Sequence, residues 1–162
     1  MTPKPRVWLF DVDGTLALMG DRSPYDMRKV AADVPNAPVV MVAQALSAHP
    51  AVDALVAVSG RDETARRATE SWLVFNDIPF RRLFLRQTGD TRPDHVVKAA
   101  LFDTEIAPRF DVIGVVDDRR SVVRMWRDRG LICLQVADGN FLGMRSPRCL
   151  KKNAPCLSFW TV

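Results

Sequence analysis

Two aspartates spaced i, i+2, Asp11 and Asp13, close the apolar run Val7-Trp8-Leu9-Phe10 and are followed at once by Gly14-Thr15. Carboxylates held this close repel unless a cation or a shared proton lies between them. A hard divalent ion such as Mg2+, which takes oxygen ligands, resolves that repulsion. Groups suited to the same chemistry recur down the chain, as Ser59-Gly60, then Lys98, then Asp117-Asp118. Together they would make a carboxylate cluster for one metal ion, with a hydroxyl and an ammonium opposite it. Such a set suits phosphoryl transfer, in which catalysis is mostly positioning and charge neutralisation. A carboxylate can also be the nucleophile. Taken singly, each group has a plainer role. Ser59-Gly60 can be a turn and helix cap, Lys98 can pair with Asp94 one helical turn earlier, and Asp117-Asp118 can cap the helix behind it. His49 and His95 are assigned no role. The order and spacing of the whole set favour a common site.

For these residues to meet, the elements between them must bring one edge together. Val7–Phe10 reads as a buried parallel strand, short, continuous and rich in β-branched and aromatic residues. Further strands are expected at Ala54–Val58, Leu83–Leu85, Val112–Val116 and Leu131–Val136. Helices are expected at Pro38–Ala48, at Asp62–Asn76 with Ala65, Ala68, Trp72 and Phe75 inward, from Pro93 to about Phe102, and at Arg119–Arg129 with Val122, Met125 and Trp126 inward. Gly130 stops the last of these. Strands alternating with helices predict a three-layer α/β/α, Rossmann-like parallel sheet of about five strands. Ligands of such sheets sit outside the carboxyl ends of the strands. That is where Asp11, Asp13, Ser59 and Asp117-Asp118 fall. The segment Ala17–Asn36, broken by Gly20, Pro24 and Pro35, is irregular and too short for a large cap domain, so the site is expected to have little or no cap and to be open to a bulky substrate end.

The 162 residues suit one domain, expected over 1–142, with a tail over 143–162 of changed composition and loose order. Apolar content of 48% and charged content of 26% exclude fibrous and disordered classes. No apolar run reaches membrane-spanning length, and Met1–Pro5 leads into the first strand without a signal-peptide core. Three cysteines without C-x-x-C spacing fit reduced thiols in a cytoplasm, with Cys133 a small core hydrophobe. The net charge is +4, and 18 of the 23 basic residues are arginine, the better fork for phosphate oxygens. This fits a phosphorylated or polynucleotide partner.

In order and spacing, Asp11-Val12-Asp13-Gly14-Thr15, Ser59, Lys98 and Asp117-Asp118 resemble the four motifs of the haloacid-dehalogenase superfamily of phosphatases. Within it, Phe10–Ala17, Arg22 with Pro24-Tyr25, Val58-Ser59-Gly60-Arg61, Gly89-Asp90-Thr91-Arg92 with Val96-Val97-Lys98, Val116-Asp117-Asp118-Arg119 and Met125-Trp126-Arg127 resemble the 3′-phosphatase domains of polynucleotide kinase-phosphatases. The likeness covers roughly residues 6 to 141. It implies that Asp11 attacks phosphorus and that Asp13 protonates the leaving hydroxyl and then activates water. It implies Mg2+ on Asp11, the main-chain carbonyl of Asp13, and Asp118 with help from Asp117. Ser59 and Lys98 would contact phosphoryl oxygens, and Asp94 would orient Lys98. Thr15 and Gly60 are further substrate-side positions. Arg22, Arg61, Arg86 and Arg119 would touch substrate phosphate or support the acidic cluster. The expected partners are DNA or RNA 3′ ends, with phosphates next to the terminus against Arg22 and Arg86. Free nucleotides or small phosphate esters are the alternative substrates, and a non-catalytic nucleic-acid-binding module is the alternative without turnover. No G-x-x-x-x-G-K-[ST] is present and Met1–Arg6 leaves no room for a kinase domain, so kinase and ligase activities are not expected.

Overall fold

The computed structural model describes residues 3–19 and 27–138. Arg22, Pro24, Tyr25 and the tail 143–162 lie outside the described residues. In chain order the elements are β1 (Arg6–Phe10), β2 (Ala17–Leu18), a 3-10 helix (Met27–Ala32), β3 (Val34–Pro35), α1 (Ala37–Ser47), β4 (Ala54–Asp62), a 3-10 turn (Glu63–Ala65), α2 (Arg66–Phe75), β5 (Arg82–Arg86), α3 (Asp94–Leu101), a π-helical turn (Phe102–Ile106), β6 (Asp111–Asp117), α4 (Arg120–Asp128) and β7 (Cys133–Gln135). Five strands form one sheet in the order β5-β4-β1-β6-β7, and every pairing in it is parallel. This is the expected α/β architecture, with β1 at its centre.

The alternation of side chains along each strand divides the core in two. On one face Phe10, Leu55, Ala57, Leu83, Leu85 and Val116 pack with Val39, Val40 and Ala43 of α1 and Trp72 and Leu73 of α2. On the other Val7, Leu9, Val56, Val58 and Val115 pack with Val122, Val123, Met125 and Trp126 of α4, with α3 residues Ala99 and Leu101 alongside. Helices therefore cover both faces, which is why the strands read as continuous apolar runs rather than alternating ones. Gly114 pairs with Trp8 across β1 and β6, and a Cβ there would stand 2.5 Å from the indole ring. The absence of a side chain at 114 is what lets the large ring lie on the sheet.

Three expectations need correction. β4 does not stop at Ser59-Gly60 but runs to Asp62, through a shift in register against β5 between Ser59 and Asp62. Such an irregularity leaves residues outside the ladder and re-aims them, and Arg61 is turned inward and buried here. In α2 the buried residues are Thr69, Trp72 and Leu73, while Phe75 is 87% exposed. The helix opens with a tighter 3-10 turn, and Thr69 is drawn inside by a hydrogen bond its hydroxyl accepts from Arg61 Nη1 at 3.0 Å. Finally, part of the segment read as irregular is ordered. β2 and β3 form a short antiparallel ribbon, Ala17 opposite Pro35 and Leu18 opposite Val34.

Among the described residues no helix is long and apolar enough to cross a membrane.

Candidate active site

β1 ends at Phe10, and the Asp11 amide donates to the Val116 carbonyl at 2.9 Å, so the first aspartate is still pinned to the neighbouring strand. Gly14, with φ of 86°, then turns the chain back, and its amide donates to the Ala17 carbonyl at 2.8 Å. β6, paired beside β1, ends at Asp117, and Asp118 follows it. Carboxylate oxygens of Asp11, Asp117 and Asp118 thus all lie within 4.8 Å of one another, and all three residues are buried.

Lys98 reaches this cluster from α3. Its Nζ donates to Asp11 Oδ1 at 2.6 Å and to Asp117 Oδ2 at 2.9 Å, and lies 3.7 Å from Asp94 Oδ2. The side chain is 1% exposed. Burial alone would lower the ammonium, but Asp11, Asp117 and Asp94 together outweigh it and hold Lys98 well above its ordinary value. Burial pushes the Asp11 carboxyl well above the usual carboxylate range. Lys98 opposes that shift, and Asp117, Asp118 and Asp94 add to it. Burial and Asp117 likewise push Asp118 up to about 6. These shifts share one origin: with three carboxylates around one ammonium, ionisation leaves a buried net charge of −2. An all-oxygen donor set with that surplus fits a hard divalent cation, and a dry cluster of like charges is costly without one.

A second layer holds the cluster in place. Trp126 Nε1 donates to Asp117 Oδ2 at 3.2 Å, the Arg119 amide to Asp117 Oδ1 at 3.2 Å, and Thr15 Oγ1 to Asp11 Oδ2 at 3.3 Å. Ser59 is fully buried, and its Oγ accepts from the Arg61 amide at 3.2 Å. Gln135 of β7 donates to the Asp118 carbonyl at 3.0 Å.

Asp13 belongs to a different network. Arg61 grips it with two hydrogen bonds, Nε to Oδ2 at 2.9 Å and Nη2 to Oδ1 at 2.8 Å. The same Nη2 donates to Asp33 Oδ2 at 2.6 Å, and Nη1 donates to Thr69. A planar fork paired in this way fixes both the position and the rotation of a carboxylate. Asp33 is held in turn through its carbonyl, which accepts from Trp72 Nε1 at 2.7 Å. Asp33 has no counterpart in the sequence reading. It is a single acid in a segment without period, and nothing nearby marks it.

A third group surrounds Asp94. Arg86 Nη2 lies 3.4 Å from Asp94 Oδ1 and Arg119 Nη1 lies 3.7 Å from Oδ2. Arg86 donates from Nε to the Gly60 carbonyl at 2.9 Å, and from Nη1 to the carbonyls of Asp90 at 3.1 Å and Arg92 at 2.6 Å. Arg86, expected against substrate phosphates, is half-buried and ties the loop before α3 to β4. A Cβ on Gly60 would stand 2.1 Å from Asp94 Oδ1. Gly60→Ala should thus push Asp94 away from Lys98 and Arg86. The expected result is a fall in kcat of about tenfold to a hundredfold, the cost of displacing a site by about an ångström. Steady-state kinetics beside a thermal melt will check it, since kcat should drop at a nearly unchanged unfolding midpoint.

A parallel α/β sheet with an aspartate pair after its central strand, a buried lysine bridging two of its carboxylates, and an acidic pair after the next strand defines a phosphatase of the haloacid-dehalogenase class. Residues 5–141 match the family described as "Polynucleotide kinase PNKP phosphatase domain", and the chain belongs to that family. A relative from Autographa californica nuclear polyhedrosis virus, named "Putative bifunctional polynucleotide kinase/RNA ligase", is 39% identical over 127 residues, which are 76% of this chain and 18% of the relative. In a solved structure, "Structure of the Pnkp1/Rnl/Hen1 RNA repair complex", one chain is similar with a TM-score of 0.81 at 36% identity, over 85% of this chain and 44% of that one. "Structure of Pnkp1/Rnl/Hen1 complex" gives the same score and identity over 87% and 49%. The chain thus spans less than half the length of each of these relatives.

Proposed function

We propose that this domain is a Mg2+-dependent phosphomonoesterase that removes 3′-phosphates from DNA or RNA ends and works in nucleic-acid end repair. The observation that carries the reading is the buried Asp11 carboxylate at the end of the central strand, bonded to Lys98 and set against Asp117 and Asp118. Asp11 attacks phosphorus, its oxygen forms the new P–O bond, and the bond to the leaving 3′-oxygen breaks. Asp13 delivers a proton to that oxygen. It then takes a proton from the water that attacks phosphorus, and inorganic phosphate and the free Asp11 carboxylate result. Arg61 and Asp33 act through Asp13, keeping its carboxyl aimed at the leaving group. Ser59 and Lys98 contact the phosphoryl oxygens, and Lys98 also neutralises the charge on Asp11. The side chains of Asp11, Asp117 and Asp118, with the main-chain carbonyl of Asp13, would hold Mg2+, which supplies charge neutralisation to the transferring group.

The family assignment and the likeness to chains of RNA repair complexes support a polynucleotide rather than a small ester as substrate. The deciding experiment measures phosphate release from a 3′-phosphorylated oligonucleotide, a 5′-phosphorylated one and a 3′-mononucleotide side by side. The expected order is highest kcat/KM on the 3′-phosphorylated oligonucleotide and none above background on the 5′ isomer. Equal efficiency on the mononucleotide would move the protein to the small-molecule phosphatases.

A further inference from the structure

The arginines of α4 have no part in the site described above, nor in the core. The buried side of that helix is Val122, Val123, Met125 and Trp126. Its outer side, with the loop behind it, forms one wall of a groove of about 730 Å³, lined by Arg119, Arg120, Arg124 and Arg129 and faced by His95 of α3. Asp128 is the one acidic residue lining it. Each guanidinium has a carboxylate partner, Asp94 for Arg119, Asp138 for Arg120, Asp128 for Arg124 and Asp103 for Arg129, so an anion entering the groove exchanges for the exposed ones among these partners.

Its position is fixed by topology. α4 follows β6, so its N-terminus begins two residues after Asp118, at the metal-cluster edge of the sheet. Arg119 at the head of the groove lies 3.7 Å from Asp94 Oδ2, the oxygen that also faces Lys98. From there nine helical residues lead away from the site over about 13 Å. Arg120 and Arg124 stand one helical turn apart along that path, with side chains 66% and 84% exposed. Their partners are exposed as well: Asp138 at 2.7 Å from Arg120 and Asp128 at 3.8 Å from Arg124. Pairs of this kind hold weakly in water and can be exchanged for another anion.

We infer that this groove binds the sugar–phosphate backbone of the nucleotides immediately 5′ to the reacting end. The inference rests on the proposal that the scissile phosphate terminates a nucleic-acid strand. An arginine-lined groove whose head, Arg119, lies beside Asp94 offers planar forks at successive steps of a polyanion.

The test is a double substitution, Arg120→Ala with Arg124→Ala, with Arg124→Glu as a second variant. Binding of a 3′-hydroxyl oligonucleotide, which cannot react, is followed by fluorescence anisotropy from about 50 to about 200 mM salt. Losing two phosphate contacts should weaken binding roughly fivefold or more at low salt and flatten the slope of log affinity on log salt by about 1.4. kcat/KM for the 3′-phosphorylated oligonucleotide should fall in parallel. Turnover of the 3′-mononucleotide and the unfolding midpoint should stay as in the unsubstituted protein. Unchanged oligonucleotide affinity and slope would overturn the inference, as would equal losses on both substrates or an unsubstituted protein that does not bind the oligonucleotide. Binding that depends on these arginines in a protein releasing no 3′-phosphate would support the groove and refute the activity.

Discussion

Asp11→Asn should abolish phosphatase turnover, with kcat lowered by at least about a thousandfold, while the protein remains folded. The amide keeps the shape of the carboxyl group and can still accept from Lys98, but it has no charge with which to attack phosphorus. Stability should move the other way. Burial and three neighbouring carboxylates already push Asp11 toward its neutral form. A neutral side chain at position 11 removes part of that repulsion, so the unfolding midpoint without metal should be equal or higher. Removing Lys98 would be a poorer probe, because an uncompensated buried charge costs about 3–5 kcal/mol and clouds any kinetic reading. Single-turnover kinetics and a thermal melt on the same sample will decide. Near-native turnover by the amide variant would exclude Asp11 as nucleophile.

Removal of divalent metal should abolish activity as completely. With only oxygen donors, the site should work with Mg2+, stop in EDTA, recover when Mg2+ is returned, and be inhibited by Ca2+, whose looser coordination misplaces the reacting groups. A pH dependence accompanies this. Asp118 is raised to about 6 in the folded chain, above its unfolded value, so without metal the folded state binds the extra proton. Stability from that group is therefore present below the unfolded value and lost as pH rises through about 6. Mg2+ replaces the proton, so the rise in unfolding midpoint that it gives should be small at about pH 5 and large at about pH 8. Melts with and without Mg2+ at both pH values test this. Full activity in chelator, or a metal shift independent of pH, would give the acidic cluster another purpose.

Much of this architecture could be read from pattern. β1 and β6 are buried on both faces, so apolar runs mark them and the acids behind them, and the buried side of α4 follows its period at Val122, Met125 and Trp126. The departures occur where a polar contact overrides hydropathy. Thr69 sits inside because its hydroxyl meets Arg61, and this shifts the apparent stripe of α2 by one residue and leaves Phe75 outside. β4 continues beyond Gly60 because an interrupted ladder can bury an arginine that has carboxylates waiting for it. Asp33 is invisible to any periodicity. The internal bonds of Arg86 could not be read from the sequence, because its partners are mainly carbonyl oxygens, and every residue has one of those.

The bonds that build the centre join distant parts of the chain. Asp11 meets Lys98 across 87 positions, and Asp13 meets Arg61 across 48. Neither the first strand nor α3 carries a usable fragment of the site, and a closed loop of that length must be ordered before either bond can form. The centre therefore exists only once the sheet has closed from β4 through β1 to β6. On the proposed reading, competence to bind metal and transfer phosphate would require that closure. A phosphatase assay, if the proposed activity holds, would thus also report whether β1, β4, β6 and α3 are assembled.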